Sequence, residues 1–367
     1  MKNMKKLTGI LLAAVLGVSL TGCAGKKPEP TGETTVQKDQ QLEQQPDQQQ
    51  SSQQPKSEGE TYHIKLAFAS PPTHPWTKAA NIFKENVEKR TNNKVQVTVY
   101  DSGKLGTLPE TTESVLAGNI EMALMATMTM SSFVPEVQIL DFPYLFPTSE
   151  IANTILDGAL GDDIKEPISK AGFYVPCFLD NDYRCISNTK KDLVHPEDVK
   201  GLKIRIPETP MLSAWLQSLG ASPTMIAASE TYSSVQSGVV DGQENGVLLT
   251  MTDKYYEVVK YFTDTNHIYG AAVVLFNQNF WDSLPQEYQT ILQEECENLR
   301  DTSRQMIADE RESLLEEMSK TVQVHQLTDQ ELAEWVESGR AVYGDFRDKV
   351  DGELLDKIIM QVDELSK

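Results

Sequence analysis

Arg205 stands in the string Gly201-Leu202-Lys203-Ile204-Arg205-Ile206-Pro207, and Asn245 closes Val239-Val240-Asp241-Gly242-Gln243-Glu244-Asn245. A guanidinium is a planar fork of donors that matches a carboxylate in bidentate geometry. A side-chain amide can donate to a carboxylate or hydroxyl and fix its orientation. Together the two could capture an organic anion by its acid group. His74, immediately before Pro75 at a helix start, could reach a ligand hydroxyl; capping that helix is the other reading. No GxSxG elbow, HExxH, Walker loop or dinucleotide fingerprint occurs, and the five histidines are scattered without metal-ligand spacing. These residues imply a binding protein that is no enzyme and uses no metal or cofactor.

The elements around these residues must place them. Ile204 and Ile206 alternate with Lys203 and Arg205, so a short strand carries one apolar and one basic face. Pro207 breaks it and leaves Arg205 near the C-terminal end, where open α/β sheets bind ligands. Ser229 is expected to cap a helix running to Gly238, a residue suited to the left-handed position after a helix. From 201 to 245 the pattern is therefore strand, helix, strand, helix, strand. Trp215 falls on the apolar face of a helix over 210–219 and is expected in the core. Upstream, Ile64, Leu66 and Phe68 alternate, a helix is expected over 75–90, and Val95, Val97 and Val99 alternate again: a βαβ unit. A helix containing residues 111–118 and a buried strand over 121–129 follow. Val273-Val274-Leu275-Phe276 reads as a central strand. Asp282 or Ser283 is expected to cap a helix with Pro285 in its first turn. With few breakers before Lys320, that helix has about 36 residues and a length of roughly 54 Å.

The N-terminus reads as an export signal. Lys2, Lys5 and Lys6 precede an apolar run of 14 residues, Leu7 to Leu20, too short for the ~20 residues that span a bilayer. It ends in Leu20-Thr21-Gly22-Cys23, which looks like a lipobox. Residues 1–22 are then a signal peptide, and Cys23 is the lipidated, palmitate-bearing N-terminus that anchors the protein outside the cell membrane. An ordinary cleavable signal with an incidental cysteine is the alternative. Residues 24–60 hold ten glutamines and almost no large apolar side chains, the composition of a disordered tether. The rest, about 307 residues, has the length of two domains. The formal charge is −21, and residues 1–60 balance seven basic against seven acidic groups, so the body carries all of it. Nucleic-acid binding, which needs a basic footprint, is excluded. An anionic ligand must rely on locally placed arginines against a repulsive overall field. With Cys23 lipidated, Cys177, Cys185 and Cys296 remain. Free buried thiols are expected, a Cys177–Cys185 bridge being the alternative.

The two strings around Arg205 and Asn245 resemble the solute-binding proteins of tripartite ATP-independent periplasmic (TRAP) transporters, the DctP-like family. So do Leu219-Gly220-Ala221-Ser222-Pro223-Thr224 and Ser229-Glu230-Thr231-Tyr232, with weaker echoes in Gly103-Lys104-Leu105-Gly106, Phe142-Pro143-Tyr144-Leu145-Phe146 and Thr265-Asn266-His267. The resemblance covers nearly everything from Tyr62 onward. It implies an α/β, two-lobed, periplasmic-binding-protein-like fold with a hinged cleft and a long helix spanning both lobes. Lobe I is expected over 61–182 and about 271–310, lobe II over 183–270 and about 311–345, and a C-terminal helical segment over 346–367. The resemblance implies that Arg205 clamps the substrate carboxylate and that Arg184, followed by Cys185-Ile186-Ser187-Asn188, is a second ligand arginine. It adds Asn245, and Thr127 from the first lobe. The structural alternatives are Arg205 paired with Glu208, Arg184 solvated or paired with Asp180 or Asp182, and Asn245 as a turn residue. Gln243 and Glu244 are expected to hold the turn and the lobe. Ala228 stands where the family commonly has an aromatic residue, and Ala126 and Ala272 where it can have polar contacts, which implies a roomier, less polar pocket.

The implied function is an extracytoplasmic receptor, a monomer, that captures an organic acid and delivers it to TRAP integral membrane subunits for ion-gradient-driven uptake. A sugar acid such as a uronate is favoured, a C4-dicarboxylate or oxo-acid next. A ligand-presenting sensor subunit for a membrane receptor and an extracytoplasmic enzyme acting on acidic sugars are the alternatives. Cys23→Ser is expected to block lipid attachment and move the protein out of the membrane fraction while the body still folds. Detergent partitioning checks this; unchanged membrane retention would remove the anchor.

Overall fold

The computed structural model describes residues 61–367; the export signal, Cys23 and the tether lie outside the described residues. The chain opens with β1 (Tyr62–Ala67), α1 (Pro75–Arg90), β2 (Val95–Tyr100), α2 (Leu108–Leu116) and β3 (Met122–Ala126). Then α3 (Thr127–Met130), α4 (Ser149–Leu156), α5 (Ala159–Lys170) and β4 (Phe173–Tyr174) lead into β5 (Phe178–Asn188). The next unit is β6 (Lys203–Ile206), α6 (Pro210–Ser218), β7 (Ser222–Met225), α7 (Thr231–Gln236), β8 (Gly242–Asn245) and α8 (Val247–Thr252). A 17-residue strand, β9 (Tyr261–Asn277), returns the chain. It ends with α9 (Gln278–Ser283), α10 (Gln286–Ser319), β10 (Gln323–His325), α11 (Asp329–Arg340), α12 (Tyr343–Phe346) and α13 (Gly352–Leu365).

The strands form one mixed sheet in the order β2-β1-β3-β9-β5-β8-β6-β7, with β4 and β10 also paired to β9. The parallel β1–β2 and β1–β3 pairs build one lobe, and the parallel β6–β7 and β6–β8 pairs build the other. The antiparallel β5 and β9 run between them. Apolar burial follows the same division. Ile64, Leu66, Phe83, Val97, Leu124, Val274 and Phe276 pack with Leu292, Cys296 and Leu299 of α10. Val235, Val240, Val247 and Phe262 pack with Leu315 and Met318 at the other end of that helix. At 1.5 Å per residue the 34-residue α10 is about 51 Å long and contributes to both cores. Trp215 is fully buried, as expected, in a further cluster that also holds Trp335.

Several boundaries differ from those expected. α2 starts at Leu108, where Thr107 and Glu110 form a reciprocal capping box, and stops at Leu116 rather than reaching 118, because Gly118 takes the left-handed conformation at φ +75°. The strand expected over 121–129 ends at Ala126; Ala126 opposite Ala272 is the last rung of the β3–β9 ladder, and α3 follows at once. Ser229 caps nothing. It lies within a 3-10 turn, Ala228–Glu230, whose extended flanking residue is Ala227, so the start of the turn falls two residues earlier. Gly238 does take the left-handed conformation, at φ +74°. The long helix begins at Gln286, with Pro285 as its flanking residue; Asp282 and Ser283 belong to the separate α9. The break sits at Leu284, held extended (φ −78°, ψ 142°) by the proline that follows it. Cys177, Cys185 and Cys296 are free and buried, so the Cys177–Cys185 bridge is not formed.

Gly242 starts β8 where β5 and β6 close on it. A Cβ there would lie 2.2 Å from the Ser187 carbonyl oxygen, a backbone atom that cannot swing aside. Gly242→Ala is therefore expected to lower stability by ~1–3 kcal/mol or more, the usual cost of overpacking. Denaturant unfolding checks it; a loss below about 0.5 kcal/mol would mean that the strands spread freely.

Candidate functional site

β6 presents Ile204 and Ile206 to the cluster around Trp215, which leaves Arg205 on the other face of the strand. Its side chain is nevertheless covered, at 3% exposure. Nε donates to the Ile226 carbonyl at 2.8 Å. No carboxylate among the described residues forms an ion pair with the guanidinium, and Glu208, the partner considered from sequence, is exposed. Burial lowers the Arg205 pKa; Glu244 pulls it up from a distance while Arg184 pushes it down. Arg205 is thus a largely buried cation whose Nε is bonded to a backbone carbonyl and which forms no ion pair among the described residues.

Arg184, on β5, is the opposite case. Its Nε donates to Glu244 Oε2 at 2.5 Å, and its Nη2 to Glu244 Oε1 at 2.7 Å, to the Glu244 carbonyl at 2.8 Å and to Asn245 Oδ1 at 3.0 Å. Burial works against the Arg184 charge, but the field and bonds of Glu244 outweigh it and hold the pKa above the ordinary value. Glu244 is held below the usual carboxylate range: burial raises it, and Arg184 and His267 more than reverse that. His267 Nε2 lies 3.5 Å from Glu244 Oε2, and its Nδ1 is 2.8 Å from Thr265 Oγ1. Burial lowers the His267 pKa, which favours the neutral ring. The solvent-exposed Arg184 considered from sequence is not found, nor is pairing with Asp180 or Asp182. Those two carboxylates are taken by Arg304 and Arg311, at 2.7 and 3.1 Å.

Asn245 closes β8 opposite Cys185. Its Nδ2 donates to Gln243 Oε1 at 2.6 Å, and Gln243 Nε2 donates to Ser187 Oγ at 2.7 Å. An amide relay therefore runs from Arg184 through Asn245 and Gln243 to β5. Arg184 and Asn245 are in direct contact, with Arg205 close enough to feel the Arg184 charge.

His74 and Thr127 are placed differently. His74 is fully buried as the N-cap of α1, its Nδ1 accepting from the Trp76 N–H at 3.1 Å. Burial lowers its pKa to about 3, so the ring is neutral with its proton on Nε2. The other side of the ring faces the Asn181 side chain, whose hydrogen bond pulls the His74 pKa up against burial. Thr127 is buried and donates to the Ala271 carbonyl at 2.9 Å, tying α3 to β9. No hydrogen bond among the described residues joins either residue to the Arg184–Asn245 relay.

The family described as bacterial extracellular solute-binding protein, family 7 (DctP), matches residues 66–349. The chain belongs to this family. The C4-dicarboxylate-binding periplasmic protein DctP of Rhodobacter capsulatus is 32% identical over 295 residues, 80% of this chain and 88% of the relative. A TRAP periplasmic solute-binding protein from Sulfurospirillum deleyianum with bound succinate has a TM-score of 0.77 and 30% identity, covering 82% of this chain and 98% of its own. The sugar acid binding protein DctPAm from Advenella mimigardefordensis, in complex with galactonate, shares the fold with a TM-score of 0.80 at 24% identity, over 83% of this chain and 99% of its own. The architecture is the two-lobed periplasmic-binding-protein fold.

In this family 7 protein two groups beside Arg184 were not singled out from sequence. His267 was only part of a weak motif echo. Asp141 stands alone among apolar neighbours in Ile139-Leu140-Asp141-Phe142, and an acid inside such a run is the signal that could have found it. Asp141 is 1% exposed, and its Oδ2 accepts from Thr209 Oγ1 at 3.3 Å. Burial pushes its pKa up to about 7; Thr209 and Arg184 oppose the rise, and Glu244 adds to it. An unfolded Asp ionises near pH ~3.9. Between that value and about 7 the native state keeps a proton that the unfolded state has lost, so stability falls as pH rises through the window. Asp141→Asn removes this slope. The variant is expected to gain on the wild type by up to about 4 kcal/mol between pH ~4 and pH ~8. Denaturant unfolding across that range checks it; a difference independent of pH would mean that Asp141 ionises normally.

Proposed function

We propose that this protein is the extracytoplasmic receptor of a TRAP transporter, held to the membrane by a lipid on Cys23, which captures an organic acid between its lobes and delivers it to integral membrane subunits. The single observation that carries the proposal is Arg205, a buried guanidinium with donors to spare and no carboxylate partner. Desolvating a cation is costly unless something pairs with it. A ligand carboxylate supplies that pair and takes the planar fork in bidentate geometry. Asn245 and Arg184, joined at 3.0 Å, orient the acid group beside it. In this reading His74 and Thr127 are the first-lobe contacts, supported by sequence and resemblance alone, since the His74 ring has Asn181 beside it and the Thr127 hydroxyl donates to the Ala271 carbonyl.

The charge inventory favours a ligand with one carboxylate. Glu244 already neutralises Arg184, so Arg205 is the buried cation left for an anion. A sugar acid such as a uronate fits that count best, with C4-dicarboxylates and oxo-acids behind. Ala126, Ala228 and Ala272 imply a roomier, less polar pocket, which counts against the most heavily hydroxylated sugar acids while leaving the carboxylate assignment untouched. The monomeric state, the lobe boundaries near 182 and 271, and the absence of enzymatic activity belong to the same reading.

Calorimetry or fluorescence titration against glucuronate, galactonate, succinate and related acids tests this on protein stripped of co-purified ligand. Binding to none of them would overturn it. Arg205→Ala is expected to weaken the tightest of these acids by about 30- to several-thousand-fold, the ~2–5 kcal/mol typical of a truncated buried charge pair. Arg205→Lys keeps the charge but loses the fork and should also bind markedly more weakly. Affinity of Arg205→Ala within a few-fold of wild type, with folding intact, would place the acid anchor elsewhere.

A further inference from the structure

Two arginines seven residues apart on α10, Arg304 and Arg311, share one face of the helix. Arg304 donates to Asp180 Oδ1 at 2.7 Å and to Asp157 Oδ2 at 2.5 Å. Arg311 reaches further. Its Nε donates to Asp182 Oδ1 at 3.1 Å, and its Nη2 donates to Asp264 Oδ1 at 2.7 Å and to Asn266 Oδ1 at 2.9 Å. One side chain thus holds both strands that run between the lobes, β5 through Asp182 and β9 through Asp264 and Asn266.

The residues it holds are those at which the backbone departs from regular strand. Asp182 has φ +63° and Asn266 φ +45°, the left-handed region that residues with a Cβ occupy at a cost. The β5–β9 register shifts between Asp180 and Tyr183 and again between Arg184 and Ile186. On β9, Gly270 leaves space for the bend: a Cβ there would sit 2.4 Å from the Asp182 carbonyl oxygen. Strained residues persist only where their surroundings over-determine them. Here the surroundings include the guanidinium.

Asp182 passes the constraint on. Its Oδ1 also accepts from the Tyr183 N–H at 2.7 Å, and its Oδ2 accepts from the Leu248 N–H at 3.1 Å. Tyr183 immediately precedes Arg184. Leu248 is in the first turn of α8, three residues after Asn245. On the β9 side, Asp264 also accepts from the Cys185 thiol at 3.1 Å, and Cys185 immediately follows Arg184. The strand carrying Arg184 is therefore fixed on both sides of that residue by groups that end on Arg311.

We propose that Arg311 is a positioning residue for ligand capture: it holds the bends of both crossing strands in the form that presents Arg184 and Asn245 to the ligand, without touching the ligand itself. The proposal rests on the solute-binding reading above but names a residue outside that site. Removing the guanidinium leaves Asp182 and Asp264 buried without their counter-charge and frees the two left-handed residues. The bend then samples other backbone angles. Apparent affinity falls in proportion to the fraction that remains binding-ready, so a fraction of about one tenth costs about tenfold.

The test compares wild type, Arg311→Met, Arg311→Lys and Arg90→Met. Arg90 also pairs with α10, at 2.8 Å to Glu295, but away from the crossing strands. Two readouts are taken: amide exchange at Tyr183 and Leu248 without ligand, and affinity for galactonate and succinate by calorimetry. Arg311→Met is expected to speed exchange at both amides and to weaken whichever acid binds by about tenfold or more. Arg311→Lys, with one nitrogen for acceptors on two strands, should fall between, and it serves alone if the methionine variant does not fold. Arg90→Met should lose stability but keep wild-type affinity and exchange at these amides. Unchanged exchange at Tyr183 and Leu248, or equal affinities for the Arg311 and Arg90 variants, would overturn the proposal. If neither acid binds wild type, glucuronate and the other acids named above take their place; binding of none of them overturns the ligand reading and this proposal with it, whereas unchanged exchange beside normal binding overturns this proposal alone.

Discussion

Arg184 and Glu244 meet in the interior, the carboxylate fully buried and the guanidinium nearly so, and most of their hydrogen bonds are made to protein groups. Glu244 spends its oxygens on the guanidinium, with His267 behind it; Arg184 spends what remains on the Glu244 carbonyl and Asn245. A buried pair of this kind is intolerant of displacement, because moving one member leaves the other charged and unsolvated. The ends of β5, β8 and β9 are accordingly fixed relative to one another. The consequence for binding is subtractive. With Arg184 and Glu244 cancelling, and with His74 and His267 favouring their neutral forms, the unmatched positive charge rests on Arg205 alone among these residues. The two arginines thus sit in different electrostatic settings: one is matched by a buried carboxylate, the other is bonded to a backbone carbonyl.

Much of this was legible in the sequence, for identifiable reasons. The alternation around Arg205 and the proline after it are local signals, and local signals survive folding: β6 ends at Ile206 with Arg205 on the face opposite Ile204. α1 and the strands on either side of it follow directly from periodicity. The partner of Arg184 was not legible. Its partner Glu244 lies 60 residues away, while Asp180 and Asp182 stand beside it in the chain and are claimed by Arg304 and Arg311 from α10. No reading of neighbours can find a partner that tertiary structure supplies. Ser229 failed for a smaller reason, since a 3-10 turn placed ahead of α7 moved the capping position to an alanine. Pro285 was a correct signal assigned one position too far inside its helix. His74 shows a further limit: sequence allowed a cap or a ligand contact, and the cap is present while the other side of the ring faces Asn181, 107 residues further along the chain.

α10 makes the two lobes one mechanical object. Its first turns belong to one apolar core and its last to the other, and between them it carries the arginines that hold the crossing strands. A helix about 51 Å long, packed at both ends, resists independent sliding of the lobes and leaves bending at the strand crossings as the softer motion. The non-glycine residues with left-handed backbone on those strands mark where bending would be absorbed.

The three free cysteines have a consequence for how the protein reaches its working form. Each thiol is fully enclosed, and burial drives its pKa upward, to about 12 for Cys177, so almost none is present as the reactive thiolate. Among the described residues no disulfide is formed, so the packing of the body does not rest on any pairing of these three cysteines. Because thiolate is what attacks disulfides and peroxides, the native body is also a poor target for mixed-disulfide formation, and its exposure to oxidants begins only when it unfolds.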